Sequence, residues 1–308
     1  MDSRSTPPRT GISDEARAWL DANPPSKRVL IGPDNAEAVR ATIRADWAPS
    51  MAAARAEFEP IEAEVEFGGV PCLDVRGPSP SGTVLYFFGG GHTTGSPEED
   101  IVISAPLAVD GGARVIAVRY PLAPERPYPA ALDSAEAAYR AVLAEIGDAP
   151  IVVAGESAGG NLALALLQRA RAAGVRLPTA LALLSPWGDM GFGGDSHATD
   201  RDPTRVMGDG ELVTMAEMYR ASAPVDDPLV SPVHADFTGF PPTLITTGTR
   251  DLLLSDCVRI HAGMRSDGVE ATLRVWEGMW HVFEFYRELP EARASMAEIC
   301  AFVRHALS

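Results

Sequence analysis

Ile151-Val152-Val153-Ala154-Gly155-Glu156-Ser157-Ala158-Gly159-Gly160-Asn161-Leu162-Ala163-Leu164-Ala165-Leu166 reads as strand, turn and helix in immediate succession. Three β-branched residues and an alanine form a short buried strand, the glycines around Ser157 permit a turn that bulkier residues would block, and Asn161 to Leu166 continues at helix-forming composition. A serine in G-x-S-x-G between a strand and a helix is held strained at the tip of the turn. The N-terminus of the new helix aims its partial positive charge at anion developing there.

The same alternation extends in both directions. Short apolar or β-branched runs recur at 61–67, 72–76, 83–88, 114–119, 150–154, 180–184, 243–247 and 272–276. Segments of helical length lie at 14–22, 35–57, 98–109, 130–146, 158–173, 209–222, 255–267 and 291–306. Strands alternating with helices predict an α/β fold, a mostly parallel sheet covered on both faces. The link Gly68-Gly69-Val70-Pro71 is too short for a crossover helix, so the first two strands are expected to be antiparallel. Residues 186–230 break the rhythm with Gly, Asp and Pro around one central helix. The expected organisation is therefore N-terminal cap helices over 1–57, a catalytic core from 58–185 and 231–308, and a cap insertion at 186–230. The Ser/Pro/Arg-rich residues 1–10 lack the apolar content to pack and are expected to be disordered.

A serine hydroxyl needs a base to attack near neutral pH, and the base needs an orienting acid. Of six histidines, His281 follows the last strand and emerges at the same carboxyl edge as Ser157. His261 and His305 fall in helical segments, and His197 and His234 in irregular ones away from strand ends. Asp251 follows the strand Thr243 to Thr247, so the chain order Ser157, Asp251, His281 is the one expected for a serine hydrolase of α/β type. Asp256 and Glu277 are alternative acids, Asp256 more naturally capping the helix it opens. After the strand Thr83 to Phe87 comes Phe88-Gly89-Gly90-Gly91-His92, whose glycines leave backbone N–H groups uncovered to face an oxyanion together with that of Ala158. A phosphate-cradling loop is the rival reading of these glycines, but the spacing misses G-x-G-x-x-G by one position and no GK[ST] is present.

Composition narrows the class. With 26 basic and 42 acidic residues the chain carries a formal charge of −16, which repels nucleic acid. Cys72, Cys257 and Cys300 form neither a disulfide framework nor zinc-ligand spacing. The N-terminal stretch has acids and prolines where a signal peptide needs an apolar run, and no membrane-length apolar segment occurs, so a cytoplasmic protein with no membrane partner is expected.

Several further motifs stand in order between Val84 and Phe285: Tyr120-Pro121-Leu122-Ala123-Pro124-Glu125, Pro129-Ala130-Ala131-Leu132-Asp133, Ser185-Pro186-Trp187 and Asp227-Pro228-Leu229-Val230-Ser231-Pro232. With the FGGG and GESAGGN segments they make the chain resemble the hormone-sensitive-lipase-like branch of the α/β hydrolases, the bacterial carboxylesterases and acetyl hydrolases. The resemblance implies an eight-stranded sheet with a helical cap, no cofactor and no metal. It further implies hydrolysis of short-to-medium acyl esters of small apolar molecules through an acyl-enzyme, oxyanion donors at Gly89, Gly90 and Ala158, and room for a homodimer. Phe88, His92, Trp187, Met207, Met215 and Trp280 are expected to face the substrate, although His92 reads equally well as a filler of its loop. Cap residues Trp19, Trp47, Met51, Leu212, Met218 and Tyr219 add to an apolar surround, with methionines supplying adaptable walls. Three departures from the family pattern stand out: Phe88 where His is usual, Glu156 where Asp is commoner, and Arg119 and Pro121 around Tyr120 where Asp and Arg are typical. An amidase or formamidase would use the same three side chains, and a non-catalytic ligand-binding relative would have no need of all three.

Overall fold

The computed structural model describes residues 11–23, 31–198 and 210–308. The Ser/Pro/Arg-rich start and Met207 lie outside the described residues. Eight strands form one sheet: β1 Ile61–Phe67, β2 Val70–Arg76, β3 Gly82–Phe87, β4 Ala113–Val118, β5 Ile151–Glu156, β6 Ala180–Leu184, β7 Thr243–Gly248 and β8 Ala271–Trp276. Their spatial order is β1-β2-β4-β3-β5-β6-β7-β8. Only β2 runs against its neighbours, pairing antiparallel with β1 and β4, while the other pairs are parallel. The helices are α1 Asp14–Ala22, α2 Ala36–Phe58, α3 Ile101–Val109, α4 Ala130–Ile146, α5 Ala158–Ala172, α6 Glu211–Arg220, α7 Leu254–Ser266 and α8 Pro290–Ala306.

Burial explains why the strands read as continuous apolar runs. β5 and β6 are buried at every residue because helices cover both faces of the central sheet. β1, at the edge, is largely exposed, with only Phe67 buried. Helix α3 begins three residues later than its pattern predicts. Ser96 Oγ accepts the Glu99 N–H at 3.3 Å and the Ser96 carbonyl accepts those of Glu99 and Asp100 at 3.2 Å, closing a separate turn first.

The feature that places Ser157 is the approach of α5 to the sheet. A Cβ on Gly159 would overlap the carbonyl oxygens of Phe87 and Phe88, so the helix start lies directly on the end of β3 and on the glycine loop that follows it. Gly159→Ala would force backbone apart from backbone, and its expected cost is about 1–3 kcal/mol or more. A thermal melt equal to that of the wild type would contradict this packing.

Candidate active site

Ser157 sits at φ 52°, ψ −119°, a conformation L-residues rarely adopt, and the surrounding backbone holds it there. Its N–H donates to the Leu184 carbonyl of β6 at 2.9 Å, and its own carbonyl accepts the N–H of Trp187 at 2.9 Å and of Asn161 at 3.1 Å. Asn161, fully buried, donates its side-chain amide to the carbonyls of Trp187 and Val230, both at 2.9 Å. The turn is thus fastened to β6 and to the segment that follows it.

His281 Nε2 lies 2.9 Å from Ser157 Oγ, and its Nδ1 lies 3.1 Å from Asp251 Oδ1. The structure therefore brings together three side chains spread over 125 residues of sequence, from Ser157 to His281. Asp251 is 1% exposed. Thr247 Oγ1 donates to its Oδ2 at 2.9 Å and the Leu253 N–H to its Oδ1 at 2.8 Å. Burial alone would raise its carboxyl pKa, but the facing His281, with the Ser185 hydroxyl and the Leu253 N–H, outweighs it and holds it below the usual carboxylate range. An ionised Asp251 fixes the imidazole with its proton on Nδ1 and Nε2 free to accept from the serine.

The two alternative acids are elsewhere. Asp256 caps nothing in α7; its Oδ2 accepts the N–H groups of Gly188 and Asp189 at 2.9 and 3.0 Å, and its Oδ1 lies 2.9 Å from His197 Nε2. It anchors the start of the 186–230 segment instead. Glu277 is exposed.

Beside Ser157 opens a cleft of about 880 Å³, its mouth included. Gly89, Gly90 and Gly91 form one wall, and Ile43 and Trp47 of α2, Leu212 and Met215 of α6, Phe285 and Tyr286 form apolar ones. Gly90 and Gly91 hold φ of 93° and 62°, which only glycine tolerates readily. Among the described residues their N–H groups, and that of Ala158, have no protein acceptor. The N–H of Gly89, the other expected donor, has no backbone acceptor among the described residues, and the Glu156 carboxyl packs against its Cα.

Of the residues expected to face substrate, Met215 does, and Met207 lies outside the described residues. Phe88, His92, Trp187 and Trp280 are fully or almost fully buried and line no part of the cleft. Phe88 stacks on Tyr120 with ring centroids 4.2 Å apart, while Tyr120 Oη donates to the Phe88 carbonyl at 2.6 Å, so the apolar ring braces the glycine loop from beneath. Trp187 donates its indole N–H to the Asp189 carbonyl at 3.2 Å. Trp280 stacks at 4.4 Å on Trp19 of α1 and supports the His281 loop from behind. His92 stacks at 3.7 Å on Tyr219 of α6; burial drives its imidazole down to about 3, against a smaller opposing pull from Asn161, so it packs there as a neutral ring.

Sequence reasoning missed Phe285 and Tyr286, which the run His281-Val282-Phe283-Glu284-Phe285-Tyr286 signals, and the acidic wall of Glu99, Asp100 and Glu211. The ion pair displaced at Tyr120 is replaced by Arg119 bonding Glu98 and Glu64. Among the described residues, no group of three or more His, Cys, Asp or Glu is arranged to hold a metal ion.

With Ser157, His281 and Asp251 within hydrogen-bonding reach of one another at the carboxyl edge of this sheet, the comparisons agree with the geometry. The sequence profile of the alpha/beta hydrolase fold family matches residues 84–285, and the chain belongs to that family. An acetyl-hydrolase of Streptomyces hygroscopicus is 40% identical over 227 residues, covering 73% of this chain and 76% of that protein. An esterase of Acinetobacter venetianus is 32% identical over 222 residues, 71% and 73% of the two chains. The crystal structure of a hormone-sensitive lipase from a metagenome library superposes with a TM-score of 0.85 at 32% identity, covering 97% of this chain and 100% of that one. Within the family the chain falls in the hormone-sensitive-lipase-like branch, and it is a carboxylesterase.

The His92–Tyr219 stack generates a stability test. His92→Ala removes a fully buried ring and is expected to cost about 2–4 kcal/mol, whereas His92→Phe keeps the stack and is expected to recover most of that loss. Equal destabilisation by both, measured by denaturant unfolding, would show that the imidazole serves by something other than packing.

Proposed function

We propose that this carboxylesterase cleaves short-to-medium acyl esters of small apolar molecules through a covalent acyl-serine, with Ser157 as nucleophile, His281 as general base and acid, and Asp251 as the orienting acid. The observation that carries the reading is the 2.9 Å contact between His281 Nε2 and Ser157 Oγ at the floor of a cleft with apolar walls.

Ser157 Oγ attacks the ester carbonyl carbon while Nε2 of His281 takes its proton, and the charge that appears on the imidazole is stabilised by Asp251 across Nδ1. The carbonyl oxygen becomes an oxyanion that accepts from the N–H groups of Gly90, Gly91 and Ala158; each such donor contributes roughly 3 kcal/mol to the transition state. Collapse expels the alcohol, protonated by His281, and leaves the acyl group on Ser157. Water then enters, gives its proton to His281, and repeats the attack to free the carboxylic acid. Gly89, packed against the Glu156 carboxyl, supports the loop.

Substrate size follows from the walls. Trp47, Leu212, Met215 and Phe285 favour an apolar group of limited length, and the similarity to an acetyl-hydrolase points the same way. A panel of aryl esters of increasing acyl length, assayed alongside matched amides, tests this. We expect kcat/KM to peak among the short acyl chains and esters to exceed amides. Ser157→Ala is expected to lose roughly 10⁴- to 10⁶-fold in kcat. Retention of most activity by that variant would remove Ser157 from the mechanism, and faster amide cleavage would move the substrate class.

A further inference from the structure

The cleft has an acidic side that the three residues around Ser157 do not use. Asp100 and Glu156 are each 4% exposed, both line the cleft, and their carboxyl groups interact electrostatically. Two buried carboxylates in one wall offer acceptors only and repel when both are charged, which favours a proton on one of them. Among the described residues neither acid forms an ion pair.

The remaining partners decide which acid carries the proton. Asp100 stands at the N-terminus of α3, where the helix favours negative charge, and Tyr86 Oη donates to its Oδ2 at 2.7 Å. Glu156 lies over Gly89 so closely that a Cβ there would overlap both carboxyl oxygens. Asp100 is thus supplied with a donor as an ion, and Glu156 is left to carry the proton while its carboxyl packs on the loop. The other groups facing the pair do not draw the proton away. Glu284, beyond His281, and Glu99, beside Asp100, are further acids; Tyr86 and Tyr120 are buried phenols held neutral. Glu211 lies in the cleft wall on α6, and His281 in the wall by Ser157. Arg44 is committed to Glu99 at 3.1 Å.

We propose that Asp100 and Glu156 share one proton, and that the neutral Glu156 carboxyl is a positioning group for the oxyanion loop. It pins Gly89, so that Gly90 and Gly91 turn their N–H groups into the cleft, without setting a second negative charge beside Ser157. This rests on the esterase reading for its kinetic consequence but not for the shared proton itself.

The pH consequence has a definite sign. Burial first raises both carboxyls, with Glu99 adding to it at Asp100 and Asp100 adding to it at Glu156, so that Asp100 is pushed up to about 7 and Glu156 well above the ordinary range. As pH rises through the point where the shared proton leaves, two like charges repel within one buried pocket, Gly89 loses its anchor, and the oxyanion meets added negative charge. Ser157, His281 and Asp251 alone predict a plateau on the alkaline side, because the imidazole acts as a neutral base.

The test compares the whole wild-type chain with Glu156→Gln, which cannot ionise. Infrared difference spectra between neutral and alkaline pH are expected to show a protonated-carboxyl band that disappears on alkalinisation in the wild type and is missing from Glu156→Gln. With a short-chain aryl ester, wild-type kcat/KM is expected to fall about tenfold or more at alkaline pH while circular dichroism stays constant, and Glu156→Gln, normalised to its own maximum, is expected to stay flat. Asp100→Asn, a second variant should the first not fold, removes the charge that raises Glu156 and is expected to move both transitions to lower pH. A band that survives in Glu156→Gln, or an alkaline fall unchanged in both variants, overturns the proposal. Absence of ester turnover in the wild type would count against the esterase reading alone, since the infrared band still decides whether the proton is shared.

Discussion

Everything in this site depends on a backbone held where an L-residue does not relax: Ser157 at φ 52°, with its N–H tied to Leu184 of β6 and its carbonyl tied to Trp187 and Asn161. That strain is sustained by the close seating of α5 on the ends of β3 and its glycine loop, a contact that admits no side chain at Gly159. The same contact sets the distance between the serine and the open amides of Gly90 and Gly91. Nucleophile and oxyanion loop are therefore positioned by one packing event, and a change in either must disturb the other.

The helices outside the sheet act on these loops directly. From α2, Arg40 donates to the carbonyls of Thr93 and Ala123, both at 2.8 Å, and pairs with Glu125. From α6, Met215 packs against Gly91 and Tyr219 against His92. From α1, Trp19 stacks on Trp280, next to His281, and the helix is itself fastened by Ser13 to the Glu291 carboxylate at 2.7 and 2.9 Å. Of these, α2 and α6 also wall the cleft, which ties its shape to the loops at its floor.

Much of this was legible in the sequence because it is local. Strand runs such as Ile151 to Ala154, the helix after Ser157 and the antiparallel first pair follow from spacing and composition, and the structure alters element ends by one to three residues. Asp251 and His281 could be placed because each follows a strand of a parallel sheet, which fixes the edge at which it emerges. What depends on the third dimension was not legible. Phe88, Trp187 and Trp280 look like pocket residues beside the site motifs, yet each turns inward to brace a loop. The contact of the Glu156 carboxyl with Gly89, and its neighbour Asp100, 56 residues away in sequence, likewise depend on how the chain folds. No periodicity reports the proximity of an acid at the end of β5 to one at the start of α3.

The central claim is that Ser157 is made nucleophilic by His281 and presents its hydroxyl to an electrophile bound at the open amides. Labelling with a fluorophosphonate, followed by peptide mass spectrometry, reads this most directly. The account predicts one adduct per chain, on Ser157, formed rapidly by the wild type and far more slowly by His281→Ala. A wild-type chain that folds but takes no adduct at Ser157, or labelling that proceeds at the same rate without the imidazole, would contradict it.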